Sequence, residues 1–122
     1  MGIHPVVLVV EDEPLVCISA VDAISEAGFE VIEVRNADQA IAVLERRGPN
    51  IHLIFTDIHM PGSMDGLRLV HFVRYRWPPV KIIATSGHAP ITENDLPKGG
   101  RFLRKPYTDS EVTTTIRELI CA

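Results

Sequence analysis

The chain has 122 residues, is 46% hydrophobic and carries 12 basic against 16 acidic side chains, a net charge of −4 with neutral histidines. This length suits one domain with its own core, and the acidic balance gives no reason to expect nucleic-acid binding. No apolar run approaches the roughly 20 residues that a membrane-spanning helix needs, and no secretory leader opens the chain, so we expect a cytoplasmic protein that does not enter the membrane.

Apolar strands and helix-period segments alternate through the first half of the chain. A first strand is predicted at about residues 6–11, followed by a helix that begins near Pro14 and stops at Gly28. A second strand at 30–35 leads to a helix capped at Asn36. The apolar stripe of the first helix consists of Leu15, Ile18, Val21 and Ile24, and that of the second of Ala37, Ala40, Ile41 and Leu44.

The second half repeats this alternation with one irregular stretch. A third strand ends at Asp57, a fourth runs from about 80 to 86, and a short fifth covers 101–104. A helix with Leu69, Val70, Val73 and Trp77 buried follows the third strand, and a capping box of Thr108 and Glu111 opens the last helix, with a stripe of Val112, Ile116, Leu119 and Ile120. Between the fourth and fifth strands, Pro90, Pro97, Gly99 and Gly100 favour at most a short or irregular helix.

Strands and helices that alternate at this interval predict an α/β domain with a doubly wound, five-stranded parallel sheet. The carboxyl ends of parallel strands meet at one edge, where ligands bind. The polar residues that end or follow these strands are Glu11, Asp12, Asp57, Ser86 and Lys105. The sequence therefore predicts that three acids, a hydroxyl and an ammonium group share one crevice.

Such a crevice has the parts for phosphoryl transfer to a carboxylate. Three carboxylates within ~4 Å repel by about 4 kcal/mol per pair at an effective dielectric near 20, and a hard divalent cation relieves that repulsion. Mg²⁺ binds oxygen ligands and keeps several waters, so two carboxylates, a carbonyl and phosphate oxygens would satisfy it. A carboxylate becomes a usable nucleophile toward phosphate when a metal and a cationic side chain offset the charge.

The same motifs resemble those of the receiver domain of bacterial two-component response regulators. These motifs are the Glu11–Asp12 pair, the run DIHMP from Asp57, the Ser86–Gly87 pair and the Lys105–Pro106 pair. The resemblance covers about residues 6–120 and implies a flavodoxin-like sheet with strand order 2-1-3-4-5. It implies one receiver domain across 1–122 with no effector domain, either a stand-alone receiver or one from a hybrid histidine kinase.

The resemblance also implies a role for each site residue. Asp57 would be the phosphoacceptor, and Mg²⁺, or Mn²⁺, would be bound by Asp57, Asp12, Glu11 directly or through water, and the His59 carbonyl. Lys105 would pair with Asp57 and then with a phosphoryl oxygen.

In the switch that the family uses, the Ser86 hydroxyl would move toward the phosphoryl group and Phe102 would rotate into the vacated space. A cis peptide between Lys105 and Pro106 is implied as well. His59 and His88 each lie two residues past a site residue, so they are candidate modulators of dephosphorylation.

Each residue also has a plainer interpretation. The acid pair could complement a helix dipole, Asp57 could be a turn residue, and Lys105 could be a solvated surface lysine. Ser86 could cap the next segment, and Phe102 could be an ordinary core side chain. Cys17 and Cys121 are expected to be reduced thiols.

The function that the resemblance implies is that of a signalling phosphoacceptor, not an enzyme. A histidine kinase or a histidine phosphotransfer protein would supply the phosphate, and an unknown protein target would read the switch. The alternatives are a receiver-like scaffold that is never phosphorylated, and a phosphohydrolase with an aspartyl-phosphate intermediate. The oligomeric state is left open.

Overall fold

The computed structural model describes residues 4–60, 62, 64–87 and 91–121. Within these residues, nine α-helices and strands follow one another in sequence. They are β1 (Val6–Val10), α1 (Pro14–Glu26), β2 (Glu30–Val34), α2 (Ala37–Arg47), β3 (Leu53–Asp57), α3 (Gly66–Arg76), β4 (Lys81–Ser86), β5 (Arg101–Arg104) and α4 (Asp109–Ile120). Among these residues no helix is long and apolar enough to cross a bilayer, the longest having 13 residues.

The five strands form one parallel sheet in the order β2-β1-β3-β4-β5, which confirms the predicted fold class and strand order. Strands β1 and β3 are buried along their whole length, as expected for central strands covered on both faces. Because successive side chains point to opposite faces, Leu8 and Ile54 pack toward α2 and α3, while Val9 and Phe55 pack toward α1 and α4.

Two of the predicted helix caps form as the sequence indicates. The Asn36 side chain accepts a hydrogen bond from the Gln39 amide at 2.8 Å at the start of α2. Thr108 and Glu111 form the reciprocal capping box of α4, with bonds of 3.0 and 2.8 Å. These caps set where both helices begin.

The apolar stripe assigned to α1 is wrong at its first two positions. Leu15 is 83% exposed and Ile18 is 55% exposed, whereas α1 buries Ala20, Ala23 and Ile24. Small alanine side chains let this helix lie close to the sheet, so the larger residues of its first turns face outward. Trp77 was also predicted to be buried, but it lies just past the end of α3 and is half-buried.

The connection from β4 to β5 is irregular, as predicted. Its described part, residues 91–100, contains a single 3-10 turn, Glu93–Asp95. Side chains of α3 hold this segment: the His71 ring bonds to the Asp95 carbonyl at 2.9 Å, and Arg74 donates to the Lys98 carbonyl. The segment therefore packs against α3, and Leu96 joins the apolar cluster on the α2 and α3 side of the sheet.

Candidate functional site

Three carboxylates meet at the carboxyl edge of the sheet. Glu11 and Asp12 follow β1, and Asp57 ends the neighbouring strand β3. Each offers one oxygen atom that lies within 4.8 Å of the others. Glu11 and Asp57 are only 3% and 4% exposed, so their charges lie largely outside bulk solvent. The predicted convergence of the acids is therefore present.

The Lys105 ammonium group lies among these acids. Its Nζ is 3.0 Å from Glu11 Oε1, 3.3 Å from Asp57 Oδ2 and 3.7 Å from Glu13 Oε1. The Lys105 amide donates to the Ser86 carbonyl at 3.0 Å, and the following bond to Pro106 is cis, as predicted. The end of β5 is thus fixed to the end of β4 while the lysine side chain crosses to β1 and β3.

Burial and charge shift two of these groups. Burial raises the pKa of Glu11 above its usual value; the hydrogen bond from Lys105 opposes this, and the nearby Asp57 carboxylate adds to it. Burial alone lowers the pKa of Lys105, but the contacts with Glu11 and Asp57 outweigh burial, and the net shift is upward. Lys105 is therefore a permanent cation at working pH.

The backbone on either side of Asp57 is held from two directions. The Ile58 amide donates to the Thr85 carbonyl at 2.9 Å, and the Gly66 amide donates to the Ile58 carbonyl at 2.8 Å. The His59 amide donates to Asp57 Oδ1 at 3.2 Å, which orients the carboxylate. These bonds fix the position of Asp57 and leave Oδ2 toward Lys105.

The remaining predicted site residues lie around this centre. Ser86 is fully buried at the end of β4, Phe102 on β5 is half-buried against the cluster on the α2 and α3 side of the sheet, and the His59 side chain is exposed. His88 lies outside the described residues. The structure brings together Glu11, Asp12, Asp57 and Lys105, and it places Ser86 on the strand next to Asp57.

Two residues of the site had no role in the sequence interpretation. Glu13 lies beside Lys105, and its amide donates to Glu11 Oε2 at 3.2 Å. Gly66 packs directly against the end of β3, because an added Cβ would lie 2.0 Å from the Asp57 carbonyl oxygen. The position of Glu13, directly after the acid pair, could have indicated its role; nothing in the sequence indicates the close contact at Gly66.

The donor set fits a hard divalent cation. Three carboxylates and one ammonium group leave two uncompensated negative charges, and all the available ligand atoms are oxygens. Mg²⁺ prefers oxygen ligands and accepts a site with only a few protein ligands. Buried carboxylates, a cation and a set of oxygen ligands that fits a metal, all at one edge, form an arrangement suited to phosphoryl transfer.

Comparison with known proteins agrees with this chemistry. A family model described as the response regulator receiver domain matches residues 7–117. The chain is 36% identical over 118 residues to the nitrogen assimilation regulatory protein NtrX of Azorhizobium caulinodans, and 32% identical over 117 residues to the sensor kinase CckA of Brucella abortus. Each alignment covers 93% of this chain but only 26% and 12% of those two proteins, so the chain spans a small part of their length.

A crystal structure of a response regulator receiver protein from Sinorhizobium medicae has the same fold. Its TM-score is 0.89 at 27% identity, with 98% of this chain and 96% of that chain covered.

Proposed function

This chain belongs to the family of response regulator receiver domains, and from this premise we propose that the Asp57 carboxylate is the phosphoacceptor. The chain acts as a phosphoacceptor in two-component signalling. One observation carries the choice of residue: Asp57 is buried, 3.3 Å from the Lys105 ammonium group, and within 4.8 Å of two further carboxylates. Glu11 is equally buried and lies 3.0 Å from Lys105 Nζ, but Asp57 ends β3, the strand that lies between the acid pair after β1 and Ser86 on β4.

The proposed reaction is attack of Asp57 Oδ on the phosphorus of a phosphohistidine or acyl phosphate. The new oxygen–phosphorus bond forms as the bond to the leaving imidazole or carboxylate breaks, and a leaving imidazole keeps its electron pair and takes a proton from solvent. Glu11, Asp12, Asp57 and the carbonyl of His59 would hold Mg²⁺, or Mn²⁺, which supplies charge neutralisation for the phosphoryl oxygens. The chain's own part is positioning and electrostatic stabilisation.

Lys105 and Ser86 would complete the stabilisation. The ammonium group already lies beside Asp57, so a small rotation brings it to a phosphoryl oxygen. The Ser86 hydroxyl would donate to a second oxygen, and Phe102 would follow it inward from the neighbouring strand. An aspartyl phosphate carries approximately −1.5 to −2 charge in place of the single negative charge of the carboxylate, which attracts both groups.

Phosphorylation by acetyl phosphate tests this proposal. We expect the wild-type protein to gain one phosphoryl group in the presence of Mg²⁺, measured by intact-protein mass spectrometry, and to gain none in EDTA. Asp57→Asn keeps the size of the side chain and removes the nucleophile, so it should remain unmodified. Labelling of this variant at the wild-type rate would place the acceptor elsewhere, and no labelling of the wild type would favour a scaffold.

We propose signalling, not turnover of phosphate esters, as the outcome. A phosphohydrolase of the aspartyl-phosphate type needs an acid two residues past the nucleophile, and His59 holds that position with its side chain exposed. The imidazoles of His59 and His88 are proposed instead to modulate how long the phosphoryl group survives. Multiple turnover on a phosphate ester would contradict this assignment.

The proposed partners are proteins, because receiver domains take phosphate from histidine kinases or phosphotransfer proteins. An apolar groove of about 520 Å³ lies beside the site, lined by Leu15, Val16, Ser19, Gly87, Lys105, Pro106 and Tyr107. Leu15, which lines this groove, and Ile18, one turn further along α1, are large apolar side chains that remain exposed. A donor protein that delivers phosphohistidine to Asp57 has to cover this surface, so we propose that it docks there.

We expect Leu15→Asp to slow phosphorylation by a donor protein but not phosphorylation by acetyl phosphate. A buried charge at the docking surface should slow transfer from a phosphorylated histidine protein at least about tenfold, while labelling by acetyl phosphate stays near the wild-type rate. Tyr75→Asp is the matched control, because Tyr75 is 81% exposed at the far end of α3. Equal transfer rates for Leu15→Asp and wild type would remove α1 from the docking surface.

The receiver unit is proposed to span about residues 6–120 and to act in the cytoplasm. Cys17 and Cys121 are both free, as a reducing compartment favours.

A further inference from the structure

Tyr107 carries a buried hydroxyl whose role the proposed reaction does not explain. Three buried side-chain atoms have no hydrogen-bond partner within the part of the chain that the structure describes: Arg74 Nε, Thr85 Oγ1 and Tyr107 Oη. Buried hydroxyls are nearly always hydrogen-bonded, so each exception asks for an explanation. A partner that is engaged in another state of the protein is one such explanation.

The Tyr107 ring lies beneath the carboxylate cluster. It packs edge-to-face on Phe55, with ring centroids 5.7 Å apart and an interplanar angle of 88°. Phe55 is two residues before Asp57 on β3, and Tyr107 is two residues after Lys105, so both rings support the strand ends that carry the site. Burial raises the pKa of Tyr107 to about 12, and the Glu11 carboxylate adds to this shift. The hydroxyl is therefore a neutral donor at working pH, within electrostatic range of Glu11.

Glu11 already has donors in the unphosphorylated protein. Lys105 Nζ donates a hydrogen bond to Glu11 Oε1 at 3.0 Å, and the Glu13 amide donates one to Glu11 Oε2 at 3.2 Å. In the proposed reaction, Lys105 turns toward a phosphoryl oxygen, which takes its hydrogen bond away from Oε1. Mg²⁺ held by Glu11, directly or through water, would offset part of the carboxylate charge, but Oε1 is left without a hydrogen-bond donor unless another one replaces Lys105.

We propose that the Tyr107 hydroxyl is a positioning group that donates to Glu11 in place of Lys105 when Asp57 is phosphorylated. This inference rests on the proposed function. The ring is not packed on all sides, because it forms one wall of the groove of about 520 Å³ beside Leu15 and Pro106. The hydroxyl thus offsets the cost of moving the lysine and favours the phosphorylated arrangement.

Tyr107→Phe tests the proposal because it removes only the hydroxyl. Beryllofluoride with Mg²⁺ serves as the probe for the phosphorylated state, and its dissociation constant is measured by calorimetry on the intact chain. We expect about tenfold weaker binding and a correspondingly shorter lifetime of the acyl phosphate, the usual effect of one lost hydrogen bond to a charged group. The unfolding temperature of the free protein should stay the same or rise, because the hydroxyl has no partner there to lose.

Thr85→Val is the matched control, since it removes another buried hydroxyl that has no partner among the described residues, on the strand beside Asp57. This variant should bind beryllofluoride as tightly as wild type. Wild-type affinity in Tyr107→Phe, or an equal loss in both variants, would overturn the role given to Tyr107 while leaving Asp57 as the acceptor. A failure of the wild type itself to bind the probe or accept phosphate would instead contradict the proposed function.

Discussion

Lys105→Met is expected to destabilise the metal-free protein by about 3 kcal/mol at neutral pH. The substitution keeps the length of the side chain but removes the cation that lies within 3.3 Å of both Glu11 and Asp57. These two carboxylates are almost fully buried, so they would face each other without a counter-charge. Breaking a buried ion pair by removing one partner costs about 3 to 5 kcal/mol. Urea unfolding in EDTA measures the loss.

The loss should depend on pH in a defined direction. The pKa of Glu11 is raised above its ordinary value of 4.5, so the folded protein holds this proton more tightly than the unfolded chain does. The free energy of unfolding therefore falls as the pH rises above about 4.5, because Glu11 must ionise in a buried site. Lys105→Met removes a hydrogen bond that lowers this pKa, so the fall should be deeper. The stabilities of the two proteins should approach each other below about pH 4.5, where Glu11 becomes protonated in both.

Mg²⁺ should restore part of the stability of Lys105→Met, because the cation then neutralises the same carboxylates. Lys81→Met is the control, since Lys81 is exposed at the opposite end of the sheet, and it should change stability little at any pH. A loss in Lys105→Met that stays constant between neutral pH and pH 4.5 and ignores Mg²⁺ would show that the lysine acts through packing alone. The same variant should accept phosphate much more slowly than wild type.

The sheet could be predicted from the sequence because its buried strands consist of continuous apolar runs. Each run ends at a polar residue, and parallel pairing then brings Asp12, Asp57 and Lys105 to one edge. The partner of Lys105 was harder to predict. Asp57 was the expected partner, but Lys105 Nζ lies slightly closer to Glu11 than to Asp57. These distances depend on how far β5 extends beyond β4.

Periodicity also failed to identify the buried face of α1. Leu15 and Ile18 have the spacing of core residues, yet the helix packs through Ala20 and Ala23. An apolar pattern indicates that a surface avoids water; it does not indicate whether the core or a partner protein covers that surface. This ambiguity is greatest where a helix borders a binding site, as α1 does beside Lys105.

We expect Gly66→Ala to destabilise the protein by about 3 kcal/mol and to impair phosphorylation in the fraction that remains folded. Gly66 is the first residue of α3, where alanine would ordinarily favour the helix by about 1 kcal/mol. The structure reverses this expectation, because an added Cβ would lie 2.0 Å from the Asp57 carbonyl oxygen and 2.7 Å from Ile58 Cα. Backbone atoms cannot rotate away as a flexible side chain would, so α3 or the end of β3 has to move.

Movement of β3 would displace Asp57, the proposed phosphoacceptor. The Ile58 amide bonds to Thr85 on β4 and the Ile58 carbonyl accepts from Gly66, so a shift at Gly66 is passed directly to the backbone that carries Asp57. Urea unfolding measures the stability, and Mg²⁺ titration reports whether the carboxylates still converge. Gly87→Ala is the control for stability, since among the described residues its added Cβ would meet only Lys105 Cβ at 3.5 Å, an ordinary contact. Wild-type stability and metal affinity in Gly66→Ala would mean that α3 adjusts without disturbing β3.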